Sequence, residues 1–197
     1  MRIVLFLFLS LSLSGCMTLA YGVPQLNPIP RIEYSNAIAG AKRGDIKAQA
    51  KAGEILYWAC FHHADAVGWR PPCDKDAAIK WNKSAGENGN AKSSYLLGQI
   101  YRHEEAYIDA RTWFQRSAEG GYGAAAGELG RLYQHGMGVQ EDWKEAYFWF
   151  GVSGTVKSAN YVEMMRSRLS PADLASAEAR IAEWKAVHPM SNDSLKK

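Results

Sequence analysis

The segment GYGAAAGELGRLYQHGMGVQEDWKEAYFWFGVS, residues 121–153, contains the clearest pattern in the chain. Small residues dominate its first part, a Gly-rich segment follows, and its last part carries an Ala and a Trp three residues apart. This pattern predicts two helices joined by a tight turn, because small residues let helices approach closely and Gly adopts turn conformations readily. The same skeleton occurs upstream, so we interpret the segment as one copy of an internal repeat.

Glycine pairs nine residues apart and Ala-Trp pairs three residues apart recur along the chain. They are Gly44 and Gly53, Gly89 and Gly98, Gly121 and Gly130, and then Ala78 and Trp81, Ala110 and Trp113, Ala146 and Trp149. A Gly inside a helix costs about 1 kcal/mol relative to Ala. We therefore expect another helix to cross close to the second glycine of each pair. The tryptophans are predicted to fill the space between hairpins, since one hairpin cannot bury its apolar face alone.

At these positions the chain resembles the Sel1-like repeat family, a relative of the tetratricopeptide repeats. The matching residues of the third copy are Ala125, Leu129, Gly130, Tyr133, Gly136, Gly138, Val139, Asp142, Ala146 and Trp149. The second copy lacks the Gly-x-Gly-Val turn, and the first is lengthened by an insertion. The resemblance covers about residues 37–153. It implies an all-α solenoid of about three helix-turn-helix repeats that binds other proteins.

Both ends of the repeat array are predicted to be closed by helices outside the three full copies. Residues 35–43 resemble the second half of an incomplete repeat, and residues 157–169 resemble one more first helix. Ser170, Pro171 and Asp173 then have the pattern of a helix N-terminus. The apolar stripe of this last helix consists of Leu174, Ala177, Ile181 and Trp184. We predict a C-terminal cap.

The first sixteen residues, MRIVLFLFLSLSLSGC, have the features of an export signal. Arg2 precedes an apolar run that is too short to span a bilayer. Leu-Ser-Gly-Cys, ending at Cys16, resembles a bacterial lipobox, which implies cleavage before Cys16 and its lipidation; the alternative is an ordinary cleaved signal. Met17 in place of Asp implies transfer to the outer membrane. We expect a signal peptide at 1–15, the lipidated Cys and an extended linker at 16–33, the repeat domain at 34–187 and a flexible tail at 188–197, in an outer-membrane lipoprotein facing the periplasm.

Three cysteines are present, and lipidation of one leaves Cys60 and Cys73 in a compartment that oxidises thiols. We predict a disulfide between them, which in the chain-entropy model stabilises the fold by about 3 kcal/mol. The alternative is a zinc site that adds His62 and His63, but the tight ligand pairs typical of structural zinc sites are absent. We therefore predict neither a metal nor another cofactor. The insertion between the cysteines is expected to protrude and to contact a partner.

Little in the sequence indicates catalysis. His103 with Glu104 and Glu105 is one candidate, but adjacent carboxylates on a helix or turn diverge instead of converging in a cleft. A nucleophile elbow and a phosphate-binding loop are both absent from the sequence. The formal net charge of +3 is too small to predict a nucleic-acid partner. We predict that the chain is not an enzyme.

The first helices of the repeats are predicted to carry a protein-binding surface, because the resemblance implies that they line a concave face. Residues one and four positions after the repeat glycines should point toward it, and their mixed polarity suits recognition by complementarity. Tryptophans in and before the insertion add aromatic anchors. The predicted partner-binding residues are Glu54, Trp58, Trp69, Gln99, Arg102, Arg131 and Gln134.

The function that we expect is that of a non-enzymatic adaptor that binds another protein in the periplasm. Exported members of the family it resembles include scaffolds for envelope assembly and signalling, and some resemble immunity proteins that neutralise lipase-type effectors. Both roles stay open. The alternative from a different class is a peptidoglycan- or glycan-binding module, for which Trp58, Trp69 and Trp143 are the tryptophans not assigned to repeat packing.

Overall fold

The computed structural model of the chain describes residues 28–62 and 70–189, which contain helices and no strand. The helices are α1 Pro28–Lys42, α2 Ile46–Phe61, α3 Lys75–Glu87, α4 Ala91–His103, α5 Tyr107–Glu119, α6 Gly123–Gln134, α7 Trp143–Ser153, α8 Val156–Arg166 and α9 Pro171–Val187. From α1 to α8 each helix packs on the next, and α9 packs back on α7. The predicted all-α stack of about three hairpins, α2/α3, α4/α5 and α6/α7, is confirmed.

The glycines inside the first helices lie where the second helices cross them, as predicted. A Cβ atom built on Gly98 would lie 2.6 Å from Cδ1 of Phe114, and one built on Gly130 would lie 2.8 Å from Cδ1 of Phe150. Each of these rings belongs to the residue that follows the repeat tryptophan. Close helix contact therefore offsets the helix-propensity cost of the glycines.

The repeat alanines and tryptophans occupy the core between and within the hairpins. Ala78, Ala110 and Ala146 are completely buried. Trp113 is half-buried, and its Cζ3 atom lies 3.1 Å from the position of a Cβ on Gly86, near the C-terminus of α3. This side chain thus fills the space between the first and second hairpins, which is the role predicted for the repeat tryptophans.

The turns between hairpins use the first glycine of each pair. Gly44 and Gly89 both have a φ of +87°, in the left-handed region that Gly adopts without strain. Asp45 and Asn90 follow directly and cap α2 and α4 by accepting hydrogen bonds from backbone N–H groups. In the second hairpin, which lacks the Gly-rich turn, Glu105 takes a φ of +58° instead.

The amino-terminal end of the array differs from the prediction. We expected an extended linker as far as residue 33, whereas α1 begins at Pro28. Proline is tolerated in the first turn of a helix because its missing N–H has no partner there within the helix. The signal segment and Cys16 lie outside the described residues. None of the described helices is both long and apolar enough to cross a membrane.

The carboxy-terminal cap is confirmed. Ser170 caps α9 by accepting a hydrogen bond from the backbone N–H of Asp173. Ala177 is completely buried, and the ring of Trp184 packs edge-on against Trp149 of α7, with centroids 5.2 Å apart. The helix therefore covers the apolar end of the third hairpin.

Candidate functional site on the first helices

A buried carboxylate joins the first helices of the second and third hairpins. Glu128 of α6 has only 7% of its side chain exposed. Its Oε1 accepts a hydrogen bond from Nε2 of Gln99 on α4, at 2.8 Å. Its Oε2 accepts one from Nε of Arg131, at 3.1 Å, and Nη2 of Arg131 lies 2.5 Å from Oε1. The guanidinium of Arg131 thus holds the carboxylate through two nitrogens, the arrangement that gives the strongest hydrogen-bonded ion pairs.

A second arginine lies beside the same carboxylate. Arg102 of α4 donates from Nε to Oε1 of Gln99, at 2.9 Å, and this Nε lies 3.8 Å from Oε2 of Glu128. The side chains of Arg102 and Arg131 are 35% and 34% exposed. Two partly exposed positive charges therefore lie over one buried negative charge. We refer to Tyr95, Gln99, Arg102, Glu128 and Arg131 as the Glu128 cluster.

The cluster contains groups that keep their charge state across the neutral range. Burial, with a further contribution from the charge of Glu128, raises the pKa of Tyr95 to about 12. Burial by itself would lower the pKa of Arg131, but its hydrogen bond to Glu128 and the charge of that carboxylate outweigh burial and raise it. Tyr95 thus stays neutral and Arg131 stays charged near pH 7. An arrangement of this kind suits binding better than proton transfer, which needs a pKa near the working pH.

Three of the predicted partner-binding residues, Gln99, Arg102 and Arg131, meet in this cluster. Gln99 is only 5% exposed, so its amide serves chiefly to connect the two hairpins. Gln134 is likewise buried, and its Oε1 has no hydrogen-bond partner among the described residues. The sequence analysis did not identify Glu128. A signal for an ion pair was present, since Glu128 lies three residues before Arg131 in a helix whose other early residues are small and uncharged.

A cleft of about 300 Å³ lies on one face of α2. Its lining residues are Lys51, Glu54, Ile55, Trp58, Ala59, His62, Arg70 and Pro71. Trp58 is 44% exposed, and its ring centroid lies 4.1 Å from that of His62. Glu54 is paired with Lys92 of α4, at 2.6 Å. Trp58, one of the predicted partner-binding residues, is thus exposed at this cleft, whereas the charge of Glu54 is paired within the chain.

The insertion is anchored at both of its ends. Cys60 of α2 and Cys73, just before α3, are joined by a disulfide with their Cα atoms 4.7 Å apart. Nη2 of Arg70 donates to the backbone oxygen of His62, at 3.3 Å. Residues 63–69, including Trp69, lie outside the described residues, so the contact of Trp69 with a partner stays a prediction.

Two further candidates from the sequence take part in packing. His103 stacks on Phe61, with centroids 5.2 Å apart, and burial, helped by the charges of Arg102 and His62, lowers its pKa. Trp143 donates from Nε1 to Glu141, at 2.7 Å, and lies under the guanidinium of Arg168. Within the described parts of the chain, His, Cys, Asp and Glu side chains form no group of three or more that could hold a metal ion.

Comparisons with known proteins give distant similarities, and no protein-family profile matches the chain. A curated protein of Candida glabrata, the ERAD-associated E3 ubiquitin-protein ligase component HRD3, is 26% identical over 127 residues. The match covers 59% of this chain but only 15% of that protein.

Two solved structures are also similar. The Sel1 repeat protein from Oxalobacter formigenes has 25% identity and a TM-score of 0.49, covering 66% of this chain and 96% of that one. A protective antigen present in uropathogenic Escherichia coli strains, which displays an SLR fold, has 19% identity and a TM-score of 0.44, covering 79% of this chain and 41% of that one. The chain therefore resembles Sel1-like repeat proteins, as its sequence predicts. It has their repeated sequence pattern and stacked hairpins whose helices cross at glycines.

Proposed function

We propose that the chain is a non-enzymatic adaptor that binds another protein through the face formed by α2, α4 and α6. Sel1-like repeat proteins mediate protein–protein interactions. The observation that carries the proposal is the Glu128 cluster, in which hydrogen bonds to the buried side chains of Gln99 and Glu128 hold two partly exposed arginines in place. Preorganised side chains lose less conformational entropy on binding, and fixed charges discriminate between partners. Trp58 adds an exposed aromatic side chain on α2, beside the cleft that Glu54 also lines.

The proposal includes a location. Lipid on Cys16 would hold the protein on the outer membrane, facing the periplasm, as the lipobox pattern indicates. The disulfide between Cys60 and Cys73 fits an oxidising compartment. Mass spectrometry of the mature protein should find an acylated Cys16 at the amino terminus. A Cys16→Ser variant should leave the membrane fraction, and membrane retention of that variant would contradict the location.

Capture of the partner in intact cells tests the binding role. The protein carries a C-terminal tag, is crosslinked in its own bacterium and is purified with whatever is attached to it. The double variant Arg102→Glu/Arg131→Glu should lose the partner. A matched control, Lys83→Glu/Lys185→Glu, changes the net charge equally at exposed positions on α3 and α9 and should retain it.

The identity of what is captured decides between the roles. A single lipase-type effector would make the protein an immunity protein, and a set of envelope-assembly proteins would make it a scaffold. Recovery of peptidoglycan without protein would refute the adaptor proposal. Equal recovery by the arginine variant and the control, with helix content unchanged by circular dichroism, would refute the assignment of the binding face.

A further inference from the structure

The two arginines of the Glu128 cluster use different nitrogen atoms. Arg131 holds the carboxylate of Glu128 from the side, through Nε and Nη2. Arg102 donates only from Nε, to Oε1 of Gln99. In the part of the chain that the structure describes, Nη1 and Nη2 of Arg102 donate to no protein group. The end of this guanidinium therefore keeps its full set of donors.

We infer that Arg102 binds a carboxylate of the partner protein through Nη1 and Nη2. Two parallel N–H groups at the end of a guanidinium match the two oxygens of a carboxylate, and such pairs are short and directional. The side chain is 35% exposed, which leaves room for a ligand, while its Nε is fixed by Gln99. This inference rests on the proposed function and names the chemistry of the partner: an Asp or Glu side chain, or a free C-terminus.

The carboxylates near Arg102 are already engaged by other groups. Glu128 is held by Arg131 and Gln99, and lies 3.8 Å from Nε of Arg102. On the neighbouring helix, Glu54 pairs with Lys92. Glu104, two residues along from Arg102, pairs with Lys75. The positive charge of Arg102 is thus only partly compensated, so an incoming carboxylate meets net attraction.

The surroundings also orient Arg102 before a ligand arrives. Its Nε donates a hydrogen bond to Oε1 of Gln99, and Nε2 of the same amide donates to Glu128. The guanidinium of Arg102 is therefore connected to α6 as well as to α4. A binding group that is locked by its own hydrogen bonds has less entropy to lose when a ligand binds.

NMR of arginine side chains can test this site without knowledge of the partner. Resonances of Arg102 and Arg131 in the full-length protein are assigned from the Arg102→Lys and Arg131→Lys variants. Three probes are titrated at constant ionic strength: N-acetyl-Glu-Glu-amide, N-acetyl-Gly-Gly with a free C-terminus, and N-acetyl-Gln-Gln-amide. Saturable shifts at the Arg102 Nη groups are expected with at least one of the first two probes and not with the third.

The variants separate a specific carboxylate site from general attraction. Because both variants lack the Arg102 signals, their affinity for the probe is followed through the backbone amide shifts of α4. Arg102→Gln should weaken probe binding by at least about tenfold, and Arg102→Lys should do nearly the same, because an ammonium keeps the charge but lacks the fork. Equal binding by Arg102→Lys and wild type would overturn the fork geometry. Shifts confined to Arg131, or none at all, would overturn the site itself.

Comparison of the two acidic probes identifies the source of the carboxylate. Preference for the Glu probe indicates an acidic side chain, and preference for the Gly probe indicates a chain terminus. Failure of the inference is distinct from failure of the adaptor role. A protein partner that is captured equally by wild type and Arg102→Gln would refute only the role of Arg102, whereas the absence of any captured protein would refute the adaptor.

Discussion

Replacing Gly98 with Ala should destabilise the protein, although Ala is the better helix former. The new Cβ would lie 2.6 Å from Cδ1 of Phe114, 2.7 Å from Cε1 and 3.1 Å from Cγ. Optimal carbon–carbon contacts are about 3.5–4.0 Å, so the ring or the helices must move apart by about 1 Å to reach that distance. Phe114 is completely buried and cannot turn toward solvent.

The expected magnitude follows from two opposing terms. Overpacking a filled core costs about 1–3 kcal/mol, whereas exchanging Gly for Ala inside a helix gains about 1 kcal/mol. Because the obstructing atoms belong to a fixed ring, we expect a net loss of about 1–2 kcal/mol in the free energy of unfolding. In a chain of this size each kcal/mol corresponds to about 2–4 °C in Tm.

Urea unfolding followed by circular dichroism measures the effect. The double variant Gly98→Ala/Phe114→Leu should lose less than the sum of the two single variants, because the smaller side chain relieves the clash. Gly151→Ala is the matched control, since its nearest neighbour is the movable end of Ile181 on the cap helix. It should be close to neutral. A stabilised Gly98→Ala, or additive losses in the double variant, would refute the close crossing of α4 and α5.

Three other predictions follow from the cluster and the disulfide. Glu128→Gln leaves two guanidiniums without their shared counter-charge and should lower the free energy of unfolding by about 1–3 kcal/mol. This is less than for a fully buried pair, because the arginines are partly exposed. Urea titrations should show a larger loss at low salt. Tyr95 has its pKa raised to about 12, so its contribution to stability is complete below pH 10 and is lost as the pH rises toward 12. In Tyr95→Phe, the free energy of unfolding should fall less steeply between pH 10 and pH 12 than in the wild type. The same pH dependence in both proteins would contradict this contribution of Tyr95. Reduction of the Cys60–Cys73 disulfide should lower the free energy of unfolding by about 3 kcal/mol, whereas an unchanged urea midpoint after reduction would contradict this contribution.

The hairpins could be predicted from the sequence because their contacts are repeated. Glycines such as Gly98 and Gly130 each lie nine residues after another glycine, and each repeat tryptophan lies three residues after an alanine, so both helices of a hairpin carry a spacing that can be read from the sequence. The cap of α9 was also predictable, since Ser170 and Asp173 carry a local signal that needs no tertiary information.

The centre of the candidate site was harder to predict because it depends on contacts between hairpins. A glutamate on a helix is usually solvated, so nothing local indicates that Glu128 is buried. Its burial depends on Gln99, which is 29 residues away in sequence, and on both arginines. The same limit applies to Gln134, since helical spacing alone places it on the expected face while neighbouring side chains cover it.

The hydrogen bond between Gln99 and Glu128 also bears on the mechanics of the stack. Apart from the cap, neighbouring helices pack mainly in sequence order, so bending can accumulate from one hairpin to the next. The ring of Trp113 lies between the first and second hairpins, whereas this hydrogen bond connects α4 of the second hairpin to α6 of the third. A packed ring opposes the approach of two hairpins, and a hydrogen bond opposes their separation. A ligand that binds Arg102 through Nη1 and Nη2 leaves the hydrogen bond between Gln99 and Glu128 in place, so α4 and α6 should keep their spacing when the ligand binds.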